Sequence, residues 1–316
     1  MKICFVGSGS IGKRHIRNLW SICREIGEPL EIHLLRSSHS ELNKDLQSIV
    51  DKQLFSMNEL QPLYDAIFIC NPTYLHYDSV KALSKFAKSF FVEKPLFDSG
   101  NYKIDQLRLP VGNQYYVACP LRYTGVLQYA KEITHREKVI CARAISSSYL
   151  PEWRQGTDYR ECYSAHKDKG GGVRADLIHE WDYLVDLFGY PEKVCSFSGK
   201  LSELEIDSED MAVYIGKYSD KLVEVHLDYV GRYPQRCLEI WTNENKYLFD
   251  ILNKCIYTNG KMSKSFDEKA NDMYLEEMKY FLKLMRGTVN SSNDLKKALS
   301  VLRIAEGIEW KKENCV

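Results

Sequence analysis

The chain has no surplus of charge of either sign: 43 Lys and Arg residues balance 43 Asp and Glu residues. Without a basic excess to neutralise phosphates, nucleic acid is excluded as the main partner. An electrostatic membrane anchor is excluded on the same ground. No apolar run approaches the roughly 18 residues that a spanning helix needs. The opening MKICFVGSGS reaches glycine at position 7, so it holds no signal-peptide hydrophobic region and reads as a first strand. There is no CxxC pair and no Cys/His spacing that matches a zinc site, so no metal is expected. The cysteines are scattered from Cys4 to Cys315, and Cys4, Cys70, Cys119, Cys141, Cys195 and Cys237 lie in or beside apolar, strand-like runs. They read as free thiols acting as small hydrophobes in a reducing cytoplasm. Repeats, low-complexity tracts and long linkers are also missing.

What is present is an ordinary globular composition, 44% hydrophobic and 27% charged. Its 316 residues suggest two domains, at about 150 residues each. Up to residue 120, short apolar runs alternate with helical patterns: 2–7, 30–35, 66–71, 89–94 and 114–119 read as strands. Ile16, Leu19, Trp20, Cys23 and Ile26 recur at helical spacing, and a second helix is expected over 76–88. Such alternation implies right-handed crossovers and a parallel sheet. After residue 136 the strands come in series, at 139–150, 193–199, 211–218, 222–230, 237–242, 246–252 and 254–258. Val223, Val225, Leu227 and Tyr229 alternate with polar residues, the mark of a sheet with one wetter face. Helices are expected over 176–188, 268–286 and 294–311, with Asn293-Asp294 capping the last. The expected fold is α/β plus α+β: a Rossmann dinucleotide-binding domain over 1–121, then a substrate-binding and oligomerisation domain over 122–316 on an open, mostly antiparallel sheet.

Gly7-Ser-Gly9-Ser10-Ile11-Gly12 fits GxGxxG between the first strand and first helix, the context that gives the motif meaning. Gly7 permits the tight turn, Gly9 lets backbone approach a pyrophosphate, and Gly12 lets helix and strand pack closely. The second strand ends in Arg36-Ser37-Ser38 with no carboxylate. A guanidinium and hydroxyls suit a 2′-phosphate, which tilts the expected cofactor to NADP over NAD. Arg36 as a plain surface arginine is the competing reading.

Asn71-Pro72-Thr73 with His76, Glu93-Lys94-Pro95, and the run from Gly170 through Asp176 and His179 to Asp182 complete a pattern. With the glycine loop they resemble the Gfo/Idh/MocA family of sugar and cyclitol oxidoreductases. Residues 149–165 and the triple glycine look like a narrower group associated with bacterial surface-sugar gene clusters, sialic-acid-like sugars among them. The resemblance implies that Lys94 is the catalytic lysine and that Asn71, Pro72, His76 and Glu93 line the cofactor cleft. It implies that His179 exchanges a proton with the substrate hydroxyl. Asp176 would be its carboxylate neighbour, three residues before it where four is commoner, and Asp182 could share that work. Arg122, Trp153, Arg154, Tyr159, Arg160 and Tyr163 would meet a polyhydroxylated or anionic substrate; the five from Trp153 to Tyr163 read otherwise as a loop packed by its aromatics. Lys94 alone also reads as a strand-end lysine beside Glu93, and His15 and His226 read as structural. The implied activity is hydride transfer between NAD(P) and a secondary alcohol of a sugar. The alternatives are a free-cyclitol dehydrogenase or a non-catalytic sensor on the same scaffold. The open sheet face is the surface through which the family usually forms dimers or tetramers.

Overall fold

The early apolar runs build a parallel sheet. In the computed structural model, which describes residues 1–307, the strands are β1 (Lys2–Val6), β2 (Glu31–Leu35), β3 (Lys52–Leu54), β4 (Tyr64–Ile69), β5 (Ala87–Val92) and β6 (Gln114–Val117). They pair in the order β3-β2-β1-β4-β5-β6, all parallel. The connecting helices include α1 (Ser10–Glu25), α2 (Lys44–Gln47) and α3 (His76–Leu83). α1 forms because Gly12, Ile16, Leu19 and Cys23 recur on one face, and that face is the buried one. α3 stops at Leu83, short of the expected 88, because β5 already begins at Ala87. β3 escaped prediction: of its three residues only Leu54 is buried, so it carries no periodic signal.

The later strands build an eight-stranded sheet. They are β7 (Val139–Tyr149), β8 (Lys193–Gly199), β9 (Met211–Lys217), β10 (Leu222–Asp228), β11 (Val230–Thr242), β12 (Lys246–Asp250), β13 (Cys255–Thr258) and β14 (Lys261–Ser265). Their order is β14-β13-β12-β11-β7-β10-β9-β8. Among the described residues, neighbours are antiparallel except β7 with β10. Val223, Val225, Leu227 and Tyr229 are buried as their alternation requires. β14 was not foreseen, since all five of its residues are exposed and only backbone pairing makes it a strand. Helices α4 (Gly125–Arg136), α5 (Val173–Asp176) and α6 (His179–Phe188) accompany this sheet. The single helix expected over 176–188 is therefore broken at Leu177 and Ile178, and Leu177 has a non-helical φ of −100° and ψ of 30°.

The chain closes with α7 (Asp272–Met285) and α8 (Leu295–Ala305), and the expected end of α8 near 311 lies outside the described residues. Asp294 caps α8 by accepting from the Lys297 N–H at 2.9 Å. Two compact units result. The first holds Met1–Phe97, Tyr102–Pro120 and Asn271–Ala298; the second holds Asp98–Asn101, Leu121–Ala270 and the chain from Leu299. The segment 271–298 thus packs with the parallel sheet, although it was expected with residues 122–316. Its reason is apolar: the Phe281 ring meets Phe68 and Phe91 edge-on at 5.2 and 5.3 Å. There Oε1 of the buried Glu277 accepts from the Tyr116 hydroxyl at 2.9 Å and the Cys119 N–H at 2.6 Å. No described helix is long and apolar enough to cross a membrane, and the nine described cysteines are free thiols.

Candidate functional site

The glycine loop explains two of its glycines by packing and leaves the third to something else. Gly7 has φ +96°, a left-handed value that favours glycine, and a Cβ there would lie 2.8 Å from the backbone of Cys70 and Asn71. A Cβ on Gly12 would lie 2.5 Å from the Gly7 carbonyl oxygen. A Cβ on Gly9 would meet nothing within 4 Å. That open space adjoins the start of α1, which has no side-chain cap and no acidic residue in its first turn. Uncapped N–H groups and the positive helix end suit an anion. Gly7, Gly9, Ser10, Ile11 and Gly12 therefore fit a dinucleotide pyrophosphate on local geometry.

Arg36 is placed differently from its expected use. Its side chain is buried, and its guanidinium donates to Ser38 O at 2.5 Å and to Ser40 O. The cation closes its own loop, while Ser37 stays exposed.

Asn71 and Pro72 follow β4, and Glu93 and Lys94 follow β5, at the strand ends where open α/β sheets bind ligands. His76 is 1% exposed. Its Nδ1 faces the carbonyls of Pro95 and Leu96 at 3.1 Å each, and its Nε2 faces the Asn71 carbonyl at 2.9 Å. Carbonyl oxygens only accept, yet burial pushes this imidazole below its ordinary pKa, towards a neutral ring with one N–H. Desolvation at this depth outweighs the second bond, and the neutral ring is favoured. His76 thus ties two loops together rather than facing solvent. Asn71 donates to Ser79 Oγ at 2.9 Å, and its buried Oδ1 has no hydrogen-bond partner. Glu93 is buried with Oε1 at 2.5 Å from His15 Nε2. Burial alone would raise its pKa, but the His15 hydrogen bond and the nearby positive charges hold it below the usual range. Lys94 is half-buried, and its N–H donates to Glu93 Oε2 at 3.1 Å.

In the second unit the polar centre is Asp176. Tyr163 Oη donates to its Oδ1 and Tyr229 Oη to its Oδ2, each at 2.6 Å. Burial and then the carboxylate push both phenols above their ordinary pKa, so both remain donors. Trp153 meets the Tyr229 ring edge-on at 5.2 Å and donates to Ser148 Oγ at 2.9 Å. Arg154 lies 5.6 Å over the Tyr163 ring. Trp153, Arg154 and Tyr163 therefore gather around Asp176. The half-buried His179 opens α6; a helix break, not one continuous helix face, separates it from Asp176. Tyr159 and Arg160 turn elsewhere: Tyr159 Oη accepts from the Glu205 N–H at 3.1 Å, and Arg160 pairs with Asp158 and Glu205. Arg122 and Asp182 are both buried and satisfy each other through two bonds of 2.7 Å, with Asp186 at 3.1 Å. They anchor α6. Tyr229 was missed as a site residue because alternation marked it only as core. At the surface, His166, Asp168 and Asp207 bring ligand atoms within 4.8 Å of one another.

Residues 1–103 match the model of the GFO_IDH_MocA family, described as an oxidoreductase family with an NAD-binding Rossmann fold. This stretch of the chain is similar to the Gfo/Idh/MocA oxidoreductases. A curated relative is 2,7-anhydro-N-acetylneuraminate hydratase of Escherichia coli K12, 27% identical over 143 residues, which are 44% of this chain and 38% of the relative. The match therefore spans well under half of that protein. Among solved structures, the WlbA dehydrogenase from Bordetella pertussis with NADH and UDP-GlcNAcA superposes with TM-score 0.75 at 16% identity, covering 98% of this chain and 95% of that one. The myo-inositol 2-dehydrogenase of Lactobacillus plantarum gives TM-score 0.78 at 17% identity, covering 97% and 95%. Both share the fold of this chain.

The open space at Gly9 yields a direct test. Its φ of −66° is available to any residue, so Gly9→Val should fold normally while its branched side chain fills the anion cradle. NADH affinity, measured by calorimetry, should fall at least tenfold, about 1.4 kcal/mol. A folded variant with unchanged affinity would remove the glycine loop from the binding site.

Proposed function

We propose that the protein is an NAD(P)-dependent oxidoreductase that moves a hydride between nicotinamide and a secondary alcohol or ketone of a sugar derivative, in surface-polysaccharide synthesis. The observation that carries this is the Gly7–Gly12 loop, whose central glycine faces open space at an uncapped helix start. A bound nicotinamide would accept or deliver the hydride. The chain must then manage the hydroxyl proton. Lys94 holds and polarises the substrate oxygen, and His179 takes the proton. Asp176 supports that exchange from a carboxylate fixed by two tyrosine hydroxyls. Trp153, Arg154 and Tyr163 offer the aromatic and cationic surface that a sugar or its acid requires. Free thiols suit a reducing cytoplasm. The hydratase relative supplies a second reading, addition of water to a sialic-acid derivative, which would form product with no net change in nicotinamide absorbance.

Turnover across a panel of nucleotide sugars, free sugars and cyclitols, with product analysis beside absorbance, separates these readings. Lys94→Ala and His179→Ala should each lose about 10²–10⁴-fold in kcat while still binding NADH. The double variant should lose less than the product of the two, because both groups serve one proton. Near-normal turnover in either single variant would remove that residue from the reaction.

The expectation of NADP rests on Arg36, whose guanidinium donates to the Ser38 and Ser40 carbonyls. NAD is the cofactor that this closed loop suits. Fluorescence titration should give NADH a Kd no higher than that of NADPH. A tenfold preference for NADPH that Arg36→Asp abolishes would return the assignment to NADP.

A second copy of the chain is the occupant we assign to the open face of the eight-stranded sheet. Cys195, Phe197, Ile215 and Leu222 are exposed there on neighbouring strands, Phe197 at 77%. Contiguous apolar patches of this kind mark interaction surfaces. Light scattering should show a dimer or tetramer that Phe197→Asp dissociates; a monomeric unsubstituted chain would refute the assignment.

A further inference from the structure

On sequence grounds His15 reads as structural, yet it is joined to the segment that carries Lys94. It lies on α1, the helix that begins at the glycine loop, and its ring is fully buried against Phe91 at 4.9 Å and Tyr274 at 6.2 Å. Its Nε2 stands 2.5 Å from Glu93 Oε1, while its buried Nδ1 has no hydrogen-bond partner. A carboxylate only accepts, so Nε2 carries the proton. As a packing element this pair is a poor choice. A buried polar pair is often replaceable by apolar side chains at no loss of stability, and one unsatisfied ring nitrogen adds a cost. Apolar side chains at both positions 15 and 93 would fill the same space without either penalty.

The gain is in placement. Glu93 receives His15 on one oxygen and the Lys94 N–H on the other, at 3.1 Å. The Glu93 N–H donates to the Ile69 carbonyl at 2.9 Å. Beyond Lys94, the Pro95 and Leu96 carbonyls face His76 Nδ1. The backbone on both sides of Lys94 is therefore held, from α1 by His15 and from α3 by His76. We propose that His15 is a positioning residue: through Glu93 it fixes the Lys94 segment to the helix that starts at the dinucleotide loop. This rests on the reading of Lys94 as the group that meets the substrate oxygen.

The test uses the full chain with ¹³C-labelled lysine, the Lys94 Cε resonance being assigned by its loss in Lys94→Arg. NADH is the ligand, titrated by fluorescence. His15→Phe keeps the ring volume and removes the bond to Glu93. It should move the Lys94 resonance, in the free and the NADH-bound protein. With any substrate found, it should lower kcat by about tenfold to a hundredfold, the scale of a small misplacement. The Kd for NADH should stay within about twofold, since the glycine loop itself is untouched. His15→Gln, which retains a donor, should restore most of both signals, and Glu93→Gln should reproduce part of the loss. A purely structural His15 predicts a changed melting temperature with the Lys94 resonance unmoved, and that result in His15→Phe and Glu93→Gln would overturn the proposal. If His15→Phe does not fold, Glu93→Gln and His15→Gln decide the matter by the same resonance. Absence of NADH binding or of any turnover in the unsubstituted chain would count against the functional reading. The resonance judges the positional claim either way.

Discussion

The first unit depends on one close approach. Backbone at Gly7 runs against the backbone of Cys70 and Asn71, and Gly12 sits on the Gly7 carbonyl, with no room at either place for one carbon atom. That contact sets how near α1 lies to the end of β4. Because α1 is held there, its buried face, Gly12 through Cys23, reaches the sheet, and His15 reaches Glu93. A bulkier residue at position 7 or 12 would shift strand, helix and the Lys94 segment together. Interiors are packed too densely to absorb such a shift locally.

The two units handle buried charge in similar ways. In the first, Glu93 is matched by His15, and Glu277 by a phenol and an N–H. In the second, Asp176 is matched by two phenols and Asp182 by a bidentate guanidinium. Glu180, fully buried beside His179, is matched by Arg236 at 2.9 Å. These pairs contribute little net stability, since desolvation offsets most of the attraction.

Much of this was legible in the chain. The GxGxxG loop and the period of the early strands announced the parallel sheet, and β8 ran over 193–199 as read. Backbone-only features were not legible: β3 and the exposed β14 lack any apolar alternation, and nothing local marks the break after Asp176. Partner choice was the harder problem. Arg36 and Asp182 were read as ligand contacts because a charged side chain advertises its chemistry but not its neighbour. Arg36 turned back on its own loop, and Asp182 found an arginine 60 residues away in sequence. Tyr229 and His15 were passed over for the opposite reason. An alternating strand residue and a helix-face histidine look like core until a buried carboxylate is placed beside them.

The exposed strand β14 has a further consequence. Its sequence, KMSKS, puts Lys261 and Lys264 on the outer edge of the eight-stranded sheet. An uncovered edge is a template on which another strand can add without limit, and lysines there make each addition costly. Strand addition at the β14 edge is therefore discouraged. Contact across a face pairs surfaces and then stops, whereas contact along an edge repeats.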